Sequence, residues 1–208
     1  MSRPLIVALH GVGSSARDMA VALAPLERFA EVLALDGLDP FNGGGAGRQW
    51  FSVAGVTEAD RPLRVAEALP SLVDRLDRLA KDRSLKRDDL VLLGFSQGAI
   101  MTLAMVAQGL HPGRAVAIAG RLAAPVVPTE ERLASLLLVH DRADRVMPPA
   151  LSAEAAARLS AAGHLVNLLL TDGIGHGIGF PTTSAVADWL TTTDSSRNDF
   201  HSDQRITM

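Results

Sequence analysis

Residues 91–101 read VLLGFSQGAIM, and the fold turns on how they are parsed. Five residues of strand character, Val91–Phe95, run into a helical stretch, with Ser96 at the joint and Gly94 and Gly98 on either side. Two readings compete at Ser96. A serine that opens a helix is a favoured N-cap, because its hydroxyl accepts from an amide of the first turn. The spacing G-F-S-Q-G also matches G-x-S-x-G, in which a sharp strand-to-helix turn exposes a serine hydroxyl and the glycines let strand and helix cross closely. The match has little specificity alone in a chain with 18 glycines, so the decision rests on what the other segments supply.

Working outward, apolar runs of strand length recur at Pro4–His10, Glu31–Asp36, Leu90–Phe95, Arg114–Ala119, Ser135–His140 and His164–Thr171. Segments of helical periodicity lie between and after them. Ser15 and Asp18 form a possible capping box for a first helix that Pro25 interrupts. Leu63–Lys81 carries Leu69, Leu72, Val73, Leu76 and Leu79 at helical spacing, with Pro70 a candidate kink. Helices are also expected at Gln97–Gly109, Pro149–Ala162 and Thr182–Thr191. Near-continuous apolar strands such as Leu136–Val139 fit a sheet covered on both faces, and the alternation fits parallel pairing. The expectation is a compact, doubly wound, mainly parallel α/β sheet with helices on both faces. Ligands of such sheets bind at the carboxyl ends of the strands.

Composition narrows the class. At 208 residues and 21.9 kDa the chain suits one domain with a substantial core, and 48% hydrophobic residues argue for a folded globule. A net charge of −3 provides no field for nucleic acid. The absence of cysteine excludes disulfides and thiolate chemistry. MSRPLIVALHG reads as a first core strand rather than a leader, and no apolar run approaches a membrane span, so a cytoplasmic protein is expected. Residues 1–190 read as one folded domain and 191–208 as a polar, disordered tail. Pro40–Arg61 is a long loop, glycine-rich at its start and aromatic in its middle.

A serine nucleophile needs a base, and the base an acid. Six histidines are available. His111, His164 and His201 fall at turns, before a strand or in the tail, while His10 and His140 end strands, the usual place of a core histidine bonded to a loop. His176 stands apart in GIGHGIG, a glycine-rich loop after the last strand. Between serine and histidine the strand end at His140 runs into DRADRVMP, which offers Asp141 and Asp144 without separating them. The oxyanion of an acyl intermediate would be met by the Gln97 amide and by an amide of Gly11, Val12 or Gly13 in HGVGSS. The histidines show no close ligand pair, so neither a zinc site nor an organic cofactor is expected.

LHGVG (9–13), GAGRQWFSVAGVTEADR (45–61), GFSQGAIM (94–101), HDRADRV (140–146) and GIGH (173–176) together resemble the phospholipase/carboxylesterase family of α/β-hydrolases, which includes acyl-protein thioesterases, and most of all its bacterial YpfH-type esterases. The similarity covers residues 4–190. It implies an α/β-hydrolase fold without a lid domain, Ser96 as nucleophile, Asp144 as acid and His176 as base. It further implies an oxyanion hole from the amides of Val12 and Gln97. Trp50 and Phe51 fall where the family lines or supports an acyl groove; as plain residues they could equally be anchors for the long loop. The chain departs from the pattern at Asp141, where the family has glycine, and at Met147, where it has a small β-branched residue. The implied activity is hydrolysis of short- to medium-chain acyl esters as small-molecule substrates. The alternatives are an acyl-protein thioesterase or lysophospholipase acting on longer chains, and a non-catalytic binding module on the same fold.

Overall fold

The computed structural model describes residues 3–128 and 133–202, with side chains up to Thr192. In chain order the elements are β1 (Leu5–Leu9), α1 (Ala16–Leu23), β2 (Glu31–Leu35), β3 (Asp39–Pro40), β4 (Arg48–Gln49), α2 (Arg61–Asp82), β5 (Val91–Phe95), α3 (Gln97–Ala107), β6 (Arg114–Ile118), β7 (Ser135–Asp141), α4 (Ala150–Ala161), β8 (Leu165–Thr171) and α5 (Phe180–Ser202). Six strands form one sheet in the order β2-β1-β5-β6-β7-β8, and every neighbouring pair is parallel. The doubly wound sheet expected from the alternation of segments is the observed one.

Alternate strand residues feed two cores. Leu5, Val7 and Leu9 of β1 pack with Leu92, Ala117 and Leu138 beneath α2, α3 and α4. Ile6 and Ala8 pack with Leu93, Val116 and Val139 beneath α1 and α5, where Met19, Leu23, Val186 and Leu190 cover them. Burial on both faces is why the central strands read as unbroken apolar runs. All eleven residues of α3 are buried, so that helix shows no polar stripe. The edge strand β8 instead leaves Leu165, Leu168 and Leu169 exposed.

Two contacts set the position of α3. A Cβ at Gly98 would lie 2.1 Å from the Leu9 carbonyl oxygen, and one at Gly94 would lie 2.2 Å from the Gly98 oxygen. The absence of side chains there brings the start of α3 against β1 and against its own strand. Helix α2 runs through Pro70, which lies on the exposed side, so the carbonyl that loses its donor faces water. The long loop after β2 holds the short antiparallel pair β3–β4. Helix α5 continues past Leu190 to Ser202, into the stretch expected to be a disordered tail; the hydroxyls of Thr191 and Thr192 donate back to carbonyls of Ala187 and Asp188. Residues 203–208 of that tail lie outside the described residues. Among the described residues no helix is long and apolar enough to cross a membrane.

Candidate active site

Ser96 stands between β5 and α3 with φ 52° and ψ −112°, a backbone conformation that costs a non-glycine residue of order 1–3 kcal/mol. Its hydroxyl makes no capping bond to the helix. The helix-cap reading of the joint therefore fails. The strained turn lifts the side chain toward the end of β8, where His176 Nε2 stands 3.0 Å from Ser96 Oγ.

Three strand ends supply the neighbours. His176 Nδ1 is 2.7 Å from Asp144 Oδ2 in the turn after β7. A carboxylate only accepts, so Nδ1 carries the proton and Nε2 presents its lone pair to the Ser96 hydroxyl. Asp144 Oδ1 accepts the amides of Val146 and Met147, each at 2.9 Å. Burial opposes the Asp144 charge, but these amides and His176 outweigh it and hold the carboxyl below the ordinary aspartate range. The Asp144 side chain is fully buried and that of His176 17% exposed, so the imidazole alone of this pair can meet a substrate. Phe95 packs on the imidazole with ring centroids 5.1 Å apart.

Asp141 stands three residues before Asp144 and is placed differently. Its carboxylate accepts from Ala143 N, Gly175 N, Ile174 N and Thr171 Oγ1, at 2.9–3.1 Å. Burial opposes its charge too, and the Gly175 and Ala143 amides lead the bonds that outweigh it and lower its pKa. It holds the loop that carries His176 and has no bond to the imidazole itself. Where the family pattern has glycine, this chain thus has a tether.

The loop after β1 faces the same site. Gly13 N–H donates to Arg48 O and Ser14 N–H to Gly11 O, while Val12 N–H has no acceptor among the described residues. Gln97 opens α3, where amides of the first turn have no carbonyl one turn back. Neither amide has a backbone acceptor among the described residues. His10 ties this loop down: its Nε2 accepts from Gly37 N–H at 2.8 Å, which requires the neutral ring, and burial lowers its pKa accordingly.

Trp50 and Phe51 are buried, at 0% and 4% exposure, and offer an acyl chain little surface. The Trp50 indole N–H donates to His10 O at 2.8 Å, the role of a loop anchor. The cavity of about 440 Å³ that the two aromatics line is bounded by Leu38, Arg64, Glu67 and Ser71, and by none of Ser96, Asp144 or His176. One contributor escaped the sequence reading. The buried Gln97 side chain accepts from Trp50 N–H at 2.9 Å and donates to Phe51 O at 2.7 Å, clasping the long loop to the serine turn. A glutamine beside the serine, and an aromatic pair 47 and 46 residues before that glutamine, carry no sequence signal of that contact. Among the described residues no cluster of His, Asp and Glu could hold a metal ion.

The family model for phospholipase/carboxylesterase matches residues 1–193. The chain belongs to that family. Esterase YpfH of Escherichia coli K12 is 34% identical over 183 residues, spanning 85% of this chain and 77% of the relative. Among solved structures, esterase PE8 superposes with a TM-score of 0.79 at 27% identity, covering 92% of this chain and 93% of its own. A carboxylesterase from Mesorhizobium loti superposes with a TM-score of 0.77 at 23% identity, over 92% and 90% of the two chains, a likeness of fold. The sheet is thus that of an α/β-hydrolase, and this family member is a hydrolase of carboxylesterase type.

Proposed function

We propose that the protein hydrolyses short- to medium-chain acyl esters through Ser96, His176 and Asp144. The observation that carries this reading is the unbroken line of bonds from Asp144 through His176 to a strained, uncapped serine, at 2.7 and 3.0 Å. As Ser96 Oγ attacks the ester carbonyl, His176 Nε2 takes its proton. The amides of Val12 and Gln97 receive the oxyanion. His176 then protonates the departing alcohol, and water resolves the acyl-enzyme by the same steps in reverse roles. Asp144 keeps the imidazole in the Nδ1–H tautomer and stabilises its cation without taking the proton. Val12, after β1, and Val146, two residues past Asp144, are exposed apolar side chains at the strand ends that carry the site, and they favour an apolar acyl group.

The test is intact-mass spectrometry after treatment with a fluorophosphonate, with Ser96→Ala as control. One adduct, lost in the folded variant, is the expected result. No adduct on folded wild-type protein would overturn the reading and favour a non-catalytic binding module. Turnover across esters and thioesters of rising acyl length then separates a short-chain esterase from a thioesterase or lysophospholipase.

A further inference from the structure

Asp144 is approached by two histidines. His140, the penultimate residue of β7, is 1% exposed, and its Nε2 lies 3.1 Å from Asp144 Oδ2, the same oxygen that faces His176. Nε2 also lies 2.7 Å from Met147 O. Both partners only accept, so Nε2 of His140 carries a proton and forks between the acid and the turn that presents it. On the far side of the ring, Nδ1 lies 2.7 Å from Ser152 Oγ in α4, and that hydroxyl is 3.1 Å from Gly120 O. Ser152 is completely buried. The imidazole is therefore fixed at both nitrogens by groups from α4, the loop after β6 and the turn after β7.

We infer that His140 is a positioning residue for the reaction: by donating Nε2–H to Asp144 Oδ2 it sets the direction in which the acid meets His176. The inference rests on the proposed roles of Ser96, His176 and Asp144. Asp144 Oδ1 is held by two amides of its own turn, which fix one oxygen but leave rotation about the carboxyl axis to be stopped at the other. His176 alone would stop it only from a glycine-flanked loop. His140 stops it from β7, a strand paired on both sides. A carboxylate aligned from the rigid side lets the imidazole swing back to the same place after each proton transfer, and placement errors near 1 Å cost about a hundredfold in rate.

The test compares His140→Leu, which fills the space without a donor, with His140→Gln, whose amide N–H reaches the same acceptor. We expect the leucine variant to lose about ten- to hundredfold in kcat with KM within about twofold, and the glutamine variant to recover most of that loss. A merely structural role would lower both variants alike, in step with Tm. In wild-type protein, ¹⁵N-histidine spectra should show a protonated, exchange-protected Nε2 at His140, a measurement that needs no variant to fold. An unprotonated Nε2, an undiminished kcat in a folded His140→Leu protein, or a glutamine variant as slow as leucine would each overturn the inference. Failure of fluorophosphonate to label wild-type protein would instead overturn the reading of the site on which it rests.

Discussion

Asp141 and Asp144 show how little separates a tether from a proposed catalytic acid at the scale of single residues. Each is a buried carboxylate that accepts four bonds, and both stand at the end of the same strand. Only the direction differs: Asp144 points one oxygen at two imidazoles, Asp141 spends both on the backbone and threonine around the His176 loop. Asp144→Asn should lower kcat by about four orders of magnitude with the fold retained, as loss of the triad carboxylate does elsewhere. Asp141→Asn should act mainly on stability, by about 1–3 kcal/mol, because an amide nitrogen would face N–H donors that lose their acceptor. Steady-state kinetics beside urea unfolding checks both, and the opposite ranking would reverse the assignment. By strand position the sequence left these two aspartates equal, since position cannot give the rotation of a turn, and only the family resemblance favoured Asp144. It likewise grouped His140 with His10 as strand-end core histidines. His10 is one, bonded to the loop amide of Gly37, whereas His140 turns toward the acid.

At the scale of elements, the strands were the most legible part of the chain. Burial on both faces leaves a continuous apolar run, and each of the six lies within a residue or two of where the pattern puts it. The two-residue strands β3 and β4 were not legible, because two residues carry no period; a contact with Ser14 and the Gln97 clasp define that loop instead. Helix α2 also needed more than propensity. Its proline was a candidate kink; the buried face of Val65, Leu69, Leu72 and Leu76 holds the helix together while Pro70 looks outward. Pro70→Ala should therefore stabilise the protein, by up to about 3 kcal/mol, measured as a higher urea midpoint. Gly98→Ala should do the reverse and more severely, since its Cβ would collide with backbone at 2.1 Å and α3 would have to lift off β1. A Gly98→Ala protein with wild-type stability would refute the close crossing.

Across the whole molecule, three buried histidines couple folding to pH. Burial lowers the pKa of His10, His111 and His164 below the 6.5 of an unfolded histidine. Between those lowered values and 6.5 the unfolded chain binds more protons than the folded one, so stability is fully present above 6.5 and is lost as pH falls. Each group contributes a slope of up to about 1.4 kcal/mol per pH unit in that window. Asp141 and Asp144, held below the 3.8 of a free aspartate, act in a lower window: their contribution is present above about pH 4 and lost below it. Urea midpoints should be level from pH 7 to 8 and decline from 6.5 toward 5; a flat profile to pH 5 would contradict neutral, buried histidines. The site is equally a property of the whole. Ser96 and His176 are 80 residues apart, Gln97 and Trp50 are 47, and the loop amide at Val12 comes from a third strand. No fragment or half-formed sheet brings these groups together. A covalent mark on Ser96 therefore tallies complete molecules, and in a crude mixture the marked fraction measures how much of the chain has reached its native state.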